Sequence, residues 1–132
     1  MLVVDDDYFN VLAAQDILFS TFTFESAMAC SGRAAIELMQ TNRSKTCCDR
    51  RITLVFMDLN MPGFDGYQTT EAILENVRNE SAEDFEERGI PAHTAQVPPI
   101  IVALTSYDGE EALAKCLSYG MVAKLTKPLN PD

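Results

Sequence analysis

Short apolar runs recur along the sequence, and stretches with helical spacing separate them. The clearest run covers residues 52–57, which are rich in β-branched and aromatic side chains and have the length of a strand buried on both faces. Further runs lie at 2–4, 100–104 and 121–125, and a less regular one lies at 22–29. Strands that alternate with helices in this way predict a doubly wound α/β fold, in which helices cover both faces of a parallel sheet.

The stretches between these runs place apolar residues at the spacing of one helix face. The predicted helices span residues 8–20, 31–41, 65–78 and 109–119. Asp7 precedes the first helix and Asp65 stands at the start of the third, where a carboxylate can accept from unpaired backbone amides, and Gly120 suits the C-terminal cap of the fourth. The predicted inward-facing residues are Val11, Ala14 and Leu18; Ala35, Leu38 and Met39; Thr70, Ile73, Leu74 and Val77; and Leu113, Cys116 and Leu117.

Length and charge limit the classes of protein to consider. The 132 residues suffice for one domain with a single core, and 47% of them are apolar. The net charge of −10 disfavours nucleic acid and anionic membranes as direct partners. No run approaches the roughly 18 apolar residues of a membrane span, and acids follow the first apolar run too closely for a signal peptide.

The cysteines form neither a disulfide framework nor a zinc-site spacing. They are Cys30, Cys47, Cys48 and Cys116. We therefore expect a reduced, cytoplasmic compartment, although a parent chain could carry a membrane anchor. The adjacent pair lies in a polar, basic loop predicted at 42–51, and residues 79–97, acidic in their first half, are predicted to form a mobile surface insertion.

Polar residues stand where four of the predicted strands end: Asp5 and Asp6, Asp58, Thr105 and Lys127. In a parallel sheet these ends project to one edge, which is where ligands bind in open α/β folds. Converging carboxylates repel one another unless a cation offsets them, and a hard divalent cation such as Mg²⁺ suits oxygen ligands. With a lysine and a hydroxyl added, the set suits transfer of a phosphoryl group onto a carboxylate.

Four motifs in register resemble the receiver domain of response regulators in two-component signalling. They are VVDDD at 3–7, MDLNMPGFDG at 57–66, ALTS at 103–106 and KP at 127–128. The DDDYFN start and the YQTTEAI segment resemble receivers fused to hybrid histidine kinases. The resemblance implies a flavodoxin-like fold with five parallel strands in the order 2-1-3-4-5.

The resemblance also implies a role for each site residue. Asp58 would accept a phosphoryl group from a phosphohistidine, giving an acyl phosphate. Asp5, Asp6, Asp58 and the backbone carbonyl of Asn60 would hold Mg²⁺, with Mn²⁺ as an alternative ion. Lys127 would pair with the phosphoryl oxygens.

The implied switch lies on the fourth strand and beyond. Thr105 would move toward the phosphoryl group, and Asn60 and Tyr107 would tune its hydrolysis by controlling water access. Partners would be a histidine kinase or a histidine phosphotransfer domain, with a homodimer or a domain of the same parent chain as further options. The isolated domain would not be an enzyme beyond Mg²⁺-dependent self-phosphorylation and autodephosphorylation at Asp58.

Two departures from the family pattern affect the switch. The family often has an aromatic residue three positions before the site lysine, and this sequence has Lys124 there. The sequence ends at Asp132, so we expect the last helix of the family to be largely missing from a single receiver domain spanning 1–132. Apolar surface left uncovered in this way would favour dimers. Gly66 is expected to permit the turn before the third helix.

Other readings of the same residues are weaker. A receiver-like module that binds a partner without phosphate is the alternative function. A haloacid-dehalogenase-like phosphatase would use Asp5 and Asp7, but Phe9 stands where that family has threonine or valine. An EF-hand loop starting at Asp58 fails because Thr69 occupies the position of its bidentate glutamate.

Overall fold

Strands and helices alternate along the chain, as the sequence predicts. The computed structural model describes residues 1–43, 51–80, 87, 89 and 97–129. Its elements are β1 (Leu2–Val4), α1 (Tyr8–Phe22), β2 (Ala27–Ala29), α2 (Gly32–Arg43), β3 (Leu54–Asp58), α3 (Gly66–Asn79), β4 (Ile100–Thr105), α4 (Glu110–Ser118) and β5 (Ala123–Thr126). The strands form a parallel sheet in the order β2-β1-β3-β4-β5, which confirms the flavodoxin-like doubly wound fold.

The register of the strands aligns their carboxyl ends. Val4 of β1 lies beside Met57 of β3, and Asp58 lies beside Leu104 of β4. Thr105 in turn lies beside Thr126 of β5. The residues that end each strand therefore meet at one edge of the sheet.

Alternating side chains divide the core between the two faces of the sheet. On one face, Val3 and Phe56 pack with Val11, Ala14 and Leu18 of α1. On the other face, Val55 and Met57 belong to a larger cluster that includes residues of α2, α3 and α4. The three central strands β1, β3 and β4 are thus buried on both faces, which explains why their sequences are mostly apolar.

The second strand is shorter than the predicted 22–29, because α1 continues through Phe22. Thr23 then adopts a left-handed conformation, with φ 58° and ψ 24°, and its backbone N–H donates to the Phe19 carbonyl at 2.8 Å. This cap ends the helix and leaves only Ala27–Ala29 to pair with β1.

Helix α3 has the predicted inward face and the predicted cap. Asp65 accepts from the backbone N–H of Gln68 at 2.8 Å, and the Gln68 side chain accepts from the Asp65 N–H.

The predicted face of α4 is wrong in part: Cys116 is buried, but Leu113 is 38% and Leu117 52% exposed. Helix α4 lies against the edge strand β5, so only a narrow stripe of it reaches the core. Leu38 of α2 is only partly buried against the core.

Helix α2 extends two residues into the predicted loop 42–51. The Asn42 side chain accepts from the Ile52 N–H at 2.8 Å, and Arg43 forms an ion pair with Glu80 at 2.7 Å. Cys47 and Cys48 lie outside the described residues. Most of the predicted insertion 79–97 does too.

Within the described ranges, no helix has both the length and the apolar character that crossing a bilayer requires.

Candidate functional site

Three carboxylates meet at the carboxyl edge of the sheet. Asp5 and Asp6 follow β1, and Asp58 is the last residue of the neighbouring strand β3. One carboxylate oxygen from each lies within 4.8 Å of the others. Asp5 and Asp58 are 2% and 4% exposed, whereas Asp6 is exposed. This donor set, with one open side, fits a hard divalent cation.

Lys127 brings a positive charge to two of these carboxylates. Its ammonium nitrogen lies 2.5 Å from Asp5 Oδ2 and 3.0 Å from Asp58 Oδ1. The backbone N–H of Lys127 donates to the Thr105 carbonyl at 2.8 Å, which fixes the segment after β5 against the end of β4. Among the described residues, the Lys127 ammonium contacts two of the three carboxylates, so the cluster keeps excess negative charge that a bound cation would offset.

The electrostatics of Asp58 reflect both burial and charge. Burial raises the pKa of the Asp58 carboxyl above 3.8, the nearby Asp5 charge raises it further, and the hydrogen bond and charge of Lys127 oppose this. Burial by itself would lower the pKa of Lys127, but its hydrogen bonds to Asp5 and Asp58 raise it above the ordinary value. Lys127 is therefore a fixed cation at neutral pH.

Backbone contacts hold the loop that follows Asp58. The Leu59 N–H donates to the Leu104 carbonyl at 3.1 Å, and the Gly66 N–H donates to the Leu59 carbonyl at 3.0 Å. The Asn60 N–H lies 3.4 Å from Asp58 Oδ1, and the Asn60 side chain is exposed.

Gly66 matters because the start of α3 comes very close to the Asp58 backbone. A Cβ at this position would lie 2.2 Å from the Asp58 carbonyl oxygen and 2.8 Å from Leu59 Cα. Gly66 is not among the residues with positive φ, so its role is close approach and not the turn conformation that the sequence suggested.

Asp5 is oriented by contacts that the sequence did not predict. Its Oδ1 accepts from the Asp7 N–H at 2.9 Å and from the Asn10 side-chain amide at 3.4 Å, while Oδ2 faces Lys127. Asn10 lies in the first turn of α1, five residues after Asp5. The sequence did contain a signal for the role of Asn10. A helix that begins after the Asp7 cap turns its third residue, Asn10, back toward the end of β1.

Thr105 lies at the same edge, but its hydroxyl is used locally. The side chain is 2% exposed, and its oxygen accepts from the Tyr107 N–H at 3.0 Å, which leaves the hydroxyl proton available to another acceptor. Tyr107 is 63% exposed. Lys124 points away from the carboxylates, and its ammonium contacts the loop between β4 and α4.

The family of the chain follows from a direct comparison. Residues 1–82 match the family model of the response regulator receiver domain. The match covers more than half of the 132 residues, so the chain belongs to that family. This confirms the resemblance that the four motifs carried.

Individual proteins agree with this membership. Hybrid signal transduction histidine kinase B of Dictyostelium discoideum is 32% identical over 130 residues, which are 98% of this chain and 6% of that protein. The chain thus spans a small part of that curated relative.

Two solved structures are similar over nearly the whole chain. The receiver domain of the histidine kinase CKI1 from Arabidopsis thaliana, complexed with Mg²⁺, has a TM-score of 0.68 and 27% identity over 98% of this chain and 83% of that one. The receiver of the Saccharomyces cerevisiae regulator Ssk1, crystallised with the histidine phosphotransfer protein Ypd1, has a TM-score of 0.69 and 26% identity over 98% and 78%.

Proposed function

We propose that Asp58 accepts a phosphoryl group from a phosphohistidine and that the chain works as a single receiver domain that switches conformation in a phosphorelay. The observation that carries the proposal is the setting of Asp58. It is 4% exposed, 3.0 Å from the Lys127 ammonium, and has carboxylate oxygens of Asp5 and Asp6 within 4.8 Å. A carboxylate in this setting has a cation beside it and further acids that can hold a metal.

The transfer is an in-line displacement at phosphorus. An Asp58 carboxylate oxygen forms the new O–P bond while the P–N bond breaks and its electron pair returns to the imidazole nitrogen. Asp58 must be ionised to attack, and the Lys127 contact favours that form against the effect of burial. Lys127 then pairs with one phosphoryl oxygen, and the Thr105 hydroxyl donates to another.

The acids beside Asp58 fit a magnesium ion. Asp5, Asp6, Asp58 and the backbone carbonyl of Asn60 would hold Mg²⁺, with Mn²⁺ as the alternative. A bound Mg²⁺ supplies positive charge against the phosphoryl oxygens. The oxygen-only donor set supports this assignment, and so does the Mg²⁺ complex of the CKI1 receiver.

The donor is proposed to be a histidine kinase or a histidine phosphotransfer domain. The Ypd1 complex of the Ssk1 receiver and the hybrid kinase among the relatives support this choice. The parent protein of this domain is accordingly proposed to belong to a two-component pathway. The domain is proposed to lie in the cytoplasm, and the free thiols of Cys30 and Cys116 are in keeping with a reduced compartment.

Incubation with acetyl phosphate and Mg²⁺, followed by intact mass measurement, tests the proposal. The wild-type chain should gain the mass of one phosphoryl group, and a chelator should abolish the gain. Asp58→Asn should show no gain. Asp16→Asn, an exposed acid on α1, should behave as wild type and serves as the matched control.

Two outcomes would contradict phosphoacceptance at Asp58: no gain in the wild type, or a gain that persists in Asp58→Asn. The first would favour the alternative of a phosphate-independent binding module.

A further inference from the structure

The side-chain ammonium group of Lys124 lies beneath the loop between β4 and α4. Lys124 lies in β5, paired with Ala103 of β4, and its side chain is only 9% exposed. The ammonium nitrogen lies 3.4 Å from the Tyr107 carbonyl oxygen, 3.2 Å from the Gly109 carbonyl oxygen and 3.3 Å from Asp108 Oδ1. All three acceptors belong to residues 107–109, which we call the β4–α4 loop segment.

The β4–α4 loop segment is held from two sides. At its start, the Tyr107 N–H donates to the Thr105 hydroxyl oxygen at 3.0 Å. Further along, Lys124 binds two of its carbonyls, and Thr126 donates to Asp108 at 3.3 Å. The peptide groups on both sides of Tyr107 are therefore tied, one to Thr105 and the other to β5.

The charge of Lys124 is needed for these contacts. Gly109 is the N-cap of α4, and the positive end of a helix dipole disfavours a cation close to it. The two carbonyls and the Asp108 carboxylate offset that effect, and an apolar side chain at position 124 could not donate to any of them. The segment is thus connected to β5 by the Lys124 ammonium, which contacts its backbone, and by the Thr126 hydroxyl, which contacts the Asp108 side chain.

We propose that Lys124 is a positioning residue that holds the β4–α4 loop segment in the conformation of the unphosphorylated protein and so opposes phosphorylation of Asp58. This inference rests on the proposed function. In the proposed switch the Thr105 side chain moves toward a phosphoryl group on Asp58. This movement takes its oxygen away from the Tyr107 N–H, and the segment rearranges. Rearrangement draws the Tyr107 and Gly109 carbonyls away from Lys124, so the two states differ by these contacts.

Linkage then fixes the direction of the effect. A contact made in the unphosphorylated state alone lowers the affinity for anything that favours the other state, and removing it raises that affinity. Beryllofluoride with Mg²⁺ is a suitable probe, because it binds an aspartate as a phosphoryl analogue and is not transferred. Loss of one net hydrogen bond predicts about fivefold tighter binding in Lys124→Met.

The experiment compares wild type, Lys124→Met and Lys124→Arg with Lys115→Met as the matched control. Lys115 lies on α4, and its ammonium lies over the Tyr67 ring, away from the loop segment, so its variant removes an ammonium elsewhere. Amide hydrogen exchange at Tyr107, without any phosphoryl donor, reports the tether. Beryllofluoride titration followed by NMR reports the coupling to Asp58.

Lys124→Met should speed amide hydrogen exchange at Tyr107 and should bind beryllofluoride about fivefold more tightly than wild type. Lys124→Arg keeps a cationic donor and should restore both values toward wild type. Lys115→Met should change neither value. Unchanged exchange, or unchanged or weaker beryllofluoride binding in Lys124→Met, overturns the inference. The acetyl phosphate assay separates it from the proposed function: failure of wild type to gain a phosphoryl group counts against Asp58, whereas the exchange measurement needs no phosphorylation.

Discussion

The carboxylate of Asp58 lies in a position where its negative charge is disfavoured. Burial is the first cause of its raised pKa, and the neighbouring Asp5 adds to it. A carboxyl group whose folded-state pKa lies above its unfolded value binds a proton more tightly when the protein is folded. Its ionisation therefore costs stability as the pH rises above 3.8.

We predict that Asp58→Asn raises the free energy of unfolding at pH 7 when a chelator removes divalent ions. Asparagine has nearly the same shape without the charge, and Lys127 keeps its contact with Asp5. The gain should shrink as the pH falls toward 3.8, where the wild-type carboxyl also becomes neutral. Urea unfolding at several pH values measures it, with Asp16→Asn as control. Equal or lower stability of Asp58→Asn at pH 7 would contradict the prediction.

The residues that bear the proposed chemistry were predictable because each stands at the end of an apolar run. Asp5, Asp6, Asp58 and Lys127 needed only strand ends and a parallel sheet to bring them together. The contacts of Lys124 were not predictable, because they depend on how the loop after Thr105 folds back over β5.

At the scale of elements, periodicity predicted the helices better than their ends and partners. Helix α3 has its predicted inward face because it packs against both α2 and β3, whereas α4 has exposed leucines because it lies against the edge strand β5. Thr23 ended α1 in a conformation that a threonine seldom adopts, so no pattern marked the boundary before β2.

We predict that Gly66→Ala destabilises the fold by about 1–3 kcal/mol, as forcing a methyl group into a tightly packed site typically does. The new Cβ would lie 2.2 Å from the Asp58 carbonyl oxygen, so either α3 or the end of β3 must shift. The variant should also phosphorylate more slowly with acetyl phosphate, because the shift moves Asp58 relative to Lys127.

Gly63→Ala is the control for this prediction. Gly63 has φ 79°, and no atom of the described residues lies within 4 Å of an added Cβ, so that change introduces backbone strain without a clash with them. It should lower stability by about 1 kcal/mol and leave the phosphorylation rate near that of wild type. Equal rates for the Gly66→Ala variant and wild type would refute the displacement of Asp58.

At the scale of the whole molecule, the fold concentrates part of a strong negative charge at one edge. The chain has a net charge of −10, and three of its acids converge beside Lys127. Any added salt screens the overall repulsion, but a cation held by the three acids acts on one site. The two effects can be separated, because specific binding depends on the identity of the ion.

We predict that Mg²⁺ raises the unfolding midpoint temperature more than sodium chloride of the same ionic strength. An ion that binds only the folded state contributes about 2.7 kcal/mol at a concentration one hundred times its dissociation constant. Asp6→Asn should remove most of this gain, because it removes one of the three carboxylates that would hold the ion. Asp6 is the exposed one of the three, so the variant leaves the buried Asp5 and Asp58 in place. Asp16→Asn should keep the gain. Calorimetric scans with Mg²⁺, with matched sodium chloride and with a chelator measure the difference, and equal midpoints in the two salts would show that the three carboxylates hold no Mg²⁺.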